Sequence, residues 1–156
     1  MEFWNDWAID RSWKVLQMLA KEFDVVVIGG WGAYLYTKTI KSKDVGVLTD
    51  FTTLDEIGKR FPLRKNVKLR KYEVIVDEVS IDIYVFYYSK FVIPASELLK
   101  LVVRIEGIKT LCPEALVILK QQAEKERTHS VKGLKDRVDI INLLINSNFD
   151  WESIRQ

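Results

Sequence analysis

The feature that most constrains the fold of this chain is a run of β-branched residues that ends in two glycines. Residues Asp24 to Ile28 include three consecutive valines, and Gly29 and Gly30 follow them directly. Such a run is typical of a buried strand, and the glycine pair predicts a tight turn after it. A short helix over residues 31–38 is expected to begin at this turn. The segment therefore predicts a strand, a glycine turn and a helix in immediate succession.

The composition indicates one globular domain that spans residues 1–156. Of the 156 residues, 48% are hydrophobic and 29% are charged. A chain of this length buries roughly 68–70% of the surface that its unfolded form exposes, so a substantial core is expected. These values exclude the collagen-like and disordered classes. Because Cys112 is the only cysteine, a disulfide within the chain is also excluded.

Charge and hydropathy limit the partners and the location of the protein. The formal net charge of +2 is far from the strong positive field of a dedicated nucleic-acid binder, although a local basic patch is compatible with it. No run reaches the roughly 18 apolar residues of a membrane span, and residues 1–6 lack the basic and apolar regions of a secretory signal. We expect a cytoplasmic protein that does not associate with membranes.

The remaining periodicity predicts helices before, between and after the strands of a small mixed sheet. The fold class is therefore α/β (α+β), with an N-terminal helix in residues 1–23, a sheet core in 24–111 and a helical segment in 112–156. The predicted elements are a helix over 4–23 capped by Asp10, a strand over 44–48, a helix over 54–60, a hairpin over 67–87 that turns at Asp77-Glu78, a helix over 96–103, a strand over 105–111, and two helices after Pro113.

Two of these helices carry specific expectations. Residues 52–56 contain the Thr-x-x-Glu pattern of a capping box, which predicts the start of the helix over 54–60. In the last helix, apolar residues at helical spacing predict the buried face. These residues are Leu134, Val138, Ile141 and Ile145.

Three features of the core occur in an order that predicts a site for phosphoryl groups. Gly29-Gly30 opens a helix, Ser42-Lys43-Asp44 precedes a strand, and Asp82 lies within the hairpin. A glycine pair before a helix lets backbone N–H groups approach a phosphate where the helix dipole favours negative charge. Carboxylates on neighbouring strands can converge on a divalent ion that bridges such phosphates.

These residues resemble the nucleotidyltransferase superfamily of the DNA polymerase β type, and within it the small prokaryotic AbiEii-like and minimal nucleotidyltransferases. The resemblance rests on Gly29-Gly30, on Asp44-Val45-Gly46 where the family has Asp-x-Asp or Asp-x-Glu, and on Asp82. The C-terminal run over residues 119–140 is similar to the helical lysine-and-aspartate segment of AbiEii-like members. Together the similar regions cover about residues 24–145.

The resemblance implies a nucleotidyltransferase-like fold and the transfer of a nucleotidyl group from a nucleoside triphosphate to a hydroxyl of a protein or RNA acceptor. It implies Mg²⁺ or Mn²⁺ as cofactor, with Asp44 and Asp82 as catalytic metal ligands. The residues that it implies for nucleotide binding are Gly29, Gly30, Ser42, Lys43, Lys120 and Lys135.

The sequence departs from the family pattern at Gly46, where the second carboxylate of the Asp-x-Asp pair is missing. Losing a metal-binding carboxylate is expected to cost at least the roughly 10–100-fold that losing an outer-shell partner costs, so activity should be weak or absent. Asp50 has the same strand parity as Asp44 and Gly46 but would lie about 13 Å beyond Gly46 along a straight strand, at ~3.3 Å per residue. Glu73, on the partner strand of the hairpin, is a better candidate for a replacement ligand.

Each candidate also has a purely structural interpretation. Asp82 lies between isoleucines in an apolar strand, where a salt bridge to lysine or arginine would explain a charge. Lys120, Lys135 and Asp136 are typical of a solvated helix face. His129 is expected in a surface loop, because no cysteine or second histidine lies at metal-binding spacing.

A second functional hypothesis is a non-catalytic nucleotide-binding or protein-interaction module. Such a module would be one half of a toxin–antitoxin-like pair, or a homodimer joined through the first helix. The basis is an aromatic stripe of Trp4, Trp7 and Trp13, which either packs inside the domain or forms a patch for a partner chain.

Overall fold

A computed structural model of the chain describes residues 6–126 and 131–146, in which six α-helices flank a seven-stranded mixed sheet. The predicted α/β class is confirmed. None of the helices in these two ranges has the length and apolar composition that crossing a membrane requires. The helices are α1 (Asp6–Glu22), α2 (Gly29–Thr37), α3 (Phe51–Arg60), α4 (Ala95–Lys100), α5 (Pro113–Glu126) and α6 (Val131–Asn146). The strands are β1 (Val26–Ile28), β2 (Val45–Thr49), β3 (Arg64–Asn66), β4 (Lys71–Val76), β5 (Val79–Val85), β6 (Val102–Ile105) and β7 (Ile108–Leu111).

The sheet has the strand order β3-β4-β5-β2-β1-β7-β6. Strand β2 is antiparallel to β1 and parallel to β5, and β7 is parallel to β1. The pairs β4–β5 and β6–β7 are antiparallel hairpins, and β3 is antiparallel to β4. The centre of the sheet is therefore formed by β5, β2, β1 and β7, and its two edge strands are β3 and β6.

Both hairpins turn on two residues with positive φ. Asp77 and Glu78 have φ of 49° and 66°, and Glu106 and Gly107 have φ of 54° and 82°. Two consecutive positive φ angles are typical of the tight turns that match the right-handed twist of paired strands. The predicted hairpin at Asp77-Glu78 is confirmed. The predicted single strand over 105–111 is wrong, because the turn at Glu106-Gly107 divides this region and β6 begins where a helix was expected to continue.

Apolar side chains cover both faces of the sheet. One core cluster includes Val47 and Ile83 of the sheet together with Leu16 of α1, and the other includes Leu48 together with Leu116 of α5. Successive strand residues point to opposite faces, so Val47 and Leu48 define the two sides of β2. The side that carries Leu48 is the side that faces α5.

The indole of Trp31 fixes α2 against α1. Its Nε1 donates a hydrogen bond of 2.6 Å to the Oγ of Ser12, and its ring lies 5.0 Å from that of Trp13 and 5.3 Å from that of Tyr34. Trp13 packs against the core cluster that contains Trp31, whereas Trp7 is exposed, so the tryptophans of the first helix do not form a single packing stripe. Trp4 lies outside the described residues.

The predicted buried face of the last helix is wrong. Leu134, Ile141 and Ile145 are 47%, 54% and 71% exposed. The face of α6 that packs against the rest of the protein is largely charged instead. Its buried members are Gly133, Lys135, Asp136, Asp139 and Leu143. Helical periodicity predicts which side of α6 is apolar. It does not predict that the charged side forms ion pairs within the protein and is therefore the buried one.

The start of α3 also differs from its prediction. The helix begins at Phe51, and the Asp50 side chain accepts a hydrogen bond of 2.8 Å from the Thr53 backbone N–H. Asp50 is thus the N-cap, and the capping box predicted over 52–56 is wrong. Asp10 is likewise interior to α1 rather than its cap.

We expect Asp50→Ala to lower the free energy of unfolding by about 1 kcal/mol, because it removes the side-chain acceptor at the start of α3. Urea unfolding followed by circular dichroism measures the change. The control is Asp55→Ala in the same helix, which removes only an exposed pair with Lys59 at 3.5 Å and should cost less than about 0.5 kcal/mol. Equal losses in the two variants would contradict the capping role.

Candidate functional site

A cavity of about 680 Å³ opens where the glycine turn, the strands β2 and β5, and the helices α5 and α6 meet. All eight residues predicted for the site lie on its wall, although their individual roles remain predictions. They are Gly29, Gly30, Ser42, Lys43, Asp44, Asp82, Lys120 and Lys135. The fold therefore brings together residues that are up to about a hundred positions apart in the sequence.

The glycine turn supplies an N-terminus of α2 that is open to an anion. Within the described residues no side chain caps this end, so its first backbone N–H groups are left for another acceptor. Gly29 has a φ of +69°, which favours glycine. A Cβ on Gly30 would lie 2.7 Å from the Lys135 Nζ and 2.9 Å from the Ser42 Oγ. Gly30 therefore allows a lysine ammonium to lie directly against the turn.

A row of residues crosses the sheet beside this turn. Gly46 of β2 is in register with Asp82 of β5, and Asp82 is in register with Glu73 of β4. Residues in register on paired strands have neighbouring side chains on the same face. A Cβ on Gly46 would meet the Ile28 Cγ1 at 3.6 Å, an ordinary contact, so there is room at this position for a side chain. Asp44, two residues before Gly46, lines the same cavity.

Asp82 forms an ion pair with Lys71 on the cavity wall. The Lys71 Nζ lies 3.0 Å from the Asp82 Oδ1 and 3.5 Å from the Glu73 Oε2, and the lysine side chain is 13% exposed. Burial lowers the pKa of Lys71, but Tyr84, Asp82 and Glu73 outweigh it and raise that pKa above its ordinary value. The structural interpretation of Asp82 as a salt-bridge partner is thus confirmed, with a cavity beside the pair.

Glu73 is bound to other groups and does not line the cavity. Its Oε1 accepts a hydrogen bond of 2.8 Å from the Arg64 Nη2, and its Oε2 accepts one of 3.4 Å from the Asn66 side chain. The Arg64 hydrogen bond is the largest of the effects that hold the pKa of Glu73 below its usual range. The register places Glu73 beside Asp82, but the contacts of Glu73 do not support its use as a replacement ligand.

The carboxylates at this face do not fit a two-ion metal site. Gly46 has no side-chain oxygen that could bind a metal ion. The Asp50 side chain caps α3, and the Asp82 side chain is paired with Lys71. In the two described ranges, no group of three or more His, Cys, Asp or Glu side chains is placed to hold a metal ion. Divalent cations of the magnesium type need several oxygen ligands. The assignment of Asp44 and Asp82 as ligands of Mg²⁺ or Mn²⁺ remains a prediction.

Two lysines and two aspartates form a buried network between α5 and α6. The Lys120 Nζ lies 3.0 Å from the Asp136 Oδ1 and 2.9 Å from the Asp139 Oδ2, and the Lys135 Nζ lies 3.0 Å from the same Asp139 oxygen. All four residues are between 2% and 6% exposed. The interpretation of these residues as a solvated helix face is therefore wrong. Burial lowers the pKa of Lys135 despite the adjacent Asp139 carboxylate.

The cavity wall is strongly basic. Of the described side chains that form it, seven are basic and three are acidic, which gives a net formal charge of +4 against +2 for the whole chain. A concave surface with this excess concentrates anions. Sequence reasoning missed four of the basic residues, three of which lie in the basic run before and at the start of β4. The missed residues are Lys68, Arg70, Lys71 and Lys90.

Neither Cys112 nor His129 belongs to the residues that form the cavity wall in the described part of the chain. Cys112 is half-buried, and burial raises the pKa of its thiol. His129 lies outside the described residues.

Solved structures share this fold. No family model and no curated protein matches the sequence. A nucleotidyltransferase-like protein from Paracoccidioides brasiliensis is 16% identical with a TM-score of 0.52, over 90% of this chain and 77% of that chain. The antibiotic-resistance factor ANT(2'')-Ia is 11% identical with a TM-score of 0.62, over 90% of each chain. ANT(2'')-Ia in complex with adenylyl-2''-tobramycin is 13% identical with a TM-score of 0.58, over 87% of this chain and 88% of that chain.

These identities are low, so the likeness concerns the fold. The chain has a nucleotidyltransferase-like fold, as the sequence predicted. Membership of the AbiEii-like group remains a prediction.

We expect Asp139→Asn to lower the free energy of unfolding by about 3–5 kcal/mol, because it leaves buried lysines without their shared carboxylate. The control is Glu22→Gln, which breaks an exposed pair with Arg60 at 2.9 Å and should cost no more than about 1 kcal/mol. Urea unfolding of both variants measures the difference. A loss in Asp139→Asn as small as in the control would show that the buried network does not stabilise the C-terminal helices.

Proposed function

We propose that this protein binds a nucleoside triphosphate in the charged cavity, and that its transfer of a nucleotidyl group is weak or absent because Gly46 stands in place of a carboxylate. The observation that carries the proposal is the position of the Lys135 ammonium at the start of α2, only 2.7 Å from where a Cβ on Gly30 would lie. A phosphate that accepts hydrogen bonds from the first turn of α2 would meet this ammonium.

The other lining residues support a polyanionic ligand. Ser42 lies beside Gly30, and Lys43 is on the same wall, so both can contribute to phosphate binding. Lys120 reaches the cavity from α5. ANT(2'')-Ia, which shares the fold, has been solved with adenylyl-2''-tobramycin, and this supports a nucleotide as the class of ligand.

The transfer of a nucleotidyl group makes demands on the cavity that binding of the nucleotide does not. In-line displacement at a phosphorus atom depends on groups that position the attacking hydroxyl and stabilise the developing charge. Here the Asp82 Oδ1 is held 3.0 Å from the Lys71 ammonium, so this oxygen is engaged by a lysine rather than by a protein or RNA hydroxyl. Because the carboxylates do not fit a two-ion site, we derive no step through Mg²⁺ or Mn²⁺. We expect low activity from the natural sequence, in a cytoplasmic setting.

One observation favours a second candidate, a protein-interaction module. Leu134, Ile141 and Ile145 are exposed on α6 at positions that lie on one helical face. Exposed apolar groups of this kind are typical of surfaces that bind another protein. A toxin–antitoxin-like partner or a second copy of the chain would fit this face. This function does not require the cavity.

We expect saturable binding of nucleoside triphosphates by the full chain, measured by isothermal titration calorimetry. Gly30→Ala should weaken binding by about tenfold, because its Cβ would displace the Lys135 ammonium and Ser42 from the turn. Gly58→Ala is the control: it adds the same methyl group to α3, away from the cavity, where it meets only the Leu63 side chain. Failure of every nucleotide to bind at millimolar concentration would overturn the proposal and leave the interaction module.

We expect Gly46→Asp to raise nucleotidyl transfer by at least about tenfold over the natural sequence, since it restores a carboxylate next to Asp82. The measurement is incorporation of label from α-labelled nucleoside triphosphates into the protein itself and into added RNA, with Mg²⁺ present. The control is Gly46→Asn, which has the same shape without the charge and should gain nothing. Rapid transfer by the natural sequence would show that Gly46 does not limit the activity.

A further inference from the structure

The position of Lys71 is unusual for a lysine that borders an open cavity. It lies at the start of β4, and its side chain is nearly buried between Asp82 and Glu73. A long lysine side chain usually extends its charged end into water. Here the ammonium is held 3.0 Å from the Asp82 Oδ1, on the wall of the cavity that contains the glycine turn.

Position 46, where the family pattern has a carboxylate, and the Lys71 ammonium both lie next to Asp82. Gly46 is in register with Asp82, and Asp82 is the partner of Lys71. A carboxylate at position 46 would make this part of the wall attractive to a divalent cation. With Gly46 and Lys71, the part of the wall next to Gly46 has the carboxylates of Asp44 and Asp82 and the ammonium of Lys71, which is paired with Asp82. An anionic phosphate therefore meets less repulsion here than it would beside three carboxylates.

Basic groups near Lys71 extend the positive wall. Lys68 and Arg70 precede it in the chain, and Lys90 lies on the same cavity. The Arg70 guanidinium lies over the Tyr88 ring, 5.1 Å from its centroid, and its buried Nε has no hydrogen-bond partner among the described residues. A buried donor without a partner carries a cost that a bound acceptor would relieve.

From this arrangement, and resting on the proposed nucleotide binding, we propose that the Lys71 ammonium takes the place of a divalent cation, so that the protein binds the triphosphate of a nucleotide without a metal ion. Asp82 holds the ammonium in position, and the phosphates approach it from the cavity. Lys71 is a binding residue in this proposal. The ligand class is the metal-free nucleoside triphosphate.

The test compares ATP binding by the full chain in excess EDTA and in excess Mg²⁺, measured by calorimetry. We expect the affinity of the natural sequence to differ by less than about threefold between the two conditions, because the positive charge is already present. Lys71→Met should weaken binding in EDTA by about tenfold or more, whereas Lys71→Arg, which keeps the charge, should retain metal-free binding. Circular dichroism of each variant verifies its fold.

The matched control is Lys65→Met, which removes the same charge from the neighbouring strand β3. Lys65 is in register with Tyr72, so it lies on the opposite face of the sheet from Lys71 and does not line the cavity. The affinity of the Lys65→Met variant for ATP in EDTA should equal that of the natural sequence. A similar loss in Lys65→Met and Lys71→Met would show that general charge, rather than the position of Lys71, determines binding, and would overturn the inference.

A double variant tests whether a divalent cation can take the place of the Lys71 ammonium. Gly46→Asp combined with Lys71→Ala removes the ammonium and adds a carboxylate, so ATP binding should become dependent on Mg²⁺ by about tenfold or more. Binding of ATP by the natural sequence only when Mg²⁺ is present would overturn this inference and leave the proposed nucleotide binding intact. Failure to bind ATP in both conditions would overturn the proposed function itself.

Discussion

The four buried charges between α5 and α6 are the interaction on which the site depends. Lysines and aspartates lose their hydration when buried, and only close pairing with opposite charges compensates that loss. Lys120 and Lys135 find this compensation in Asp136 and Asp139. The same pairing brings Lys135 against Gly30 and forms one wall of the cavity. The ion pairs that hold α5 against α6 therefore also determine the charge on this wall of the cavity.

This network also explains why α6 packs in an orientation that its hydropathy does not predict. Only one face of α6 packs against the rest of the protein, although the helix has both an apolar face and a charged face. The charged stripe is buried because its partner Lys120 is supplied by α5, and Leu143 adds an apolar contact on the same face. Periodicity within α6 cannot reveal a partner in another helix. For that reason the sequence predicted the helix correctly and its inner face incorrectly.

Local chemistry made other parts predictable. The valine run, the glycine turn and the hairpin turn at Asp77-Glu78 follow from backbone preferences of a few adjacent residues. The candidate site was also largely predictable, since the glycines and Asp82 lie on the cavity wall as expected. Lys71 was not found in advance, because its partner depends on the register of β4 against β5. The turn at Glu106-Gly107 was missed because the strands on either side of it are only four residues long.

The space around Gly46 has a consequence for how this domain can change over evolutionary time. A side chain at that position would meet its neighbours at ordinary distance, and the backbone there follows a regular strand. The packing around position 46 therefore accepts a Cβ without a clash. A single substitution can add a side chain here without forcing the neighbouring residues of the sheet to repack.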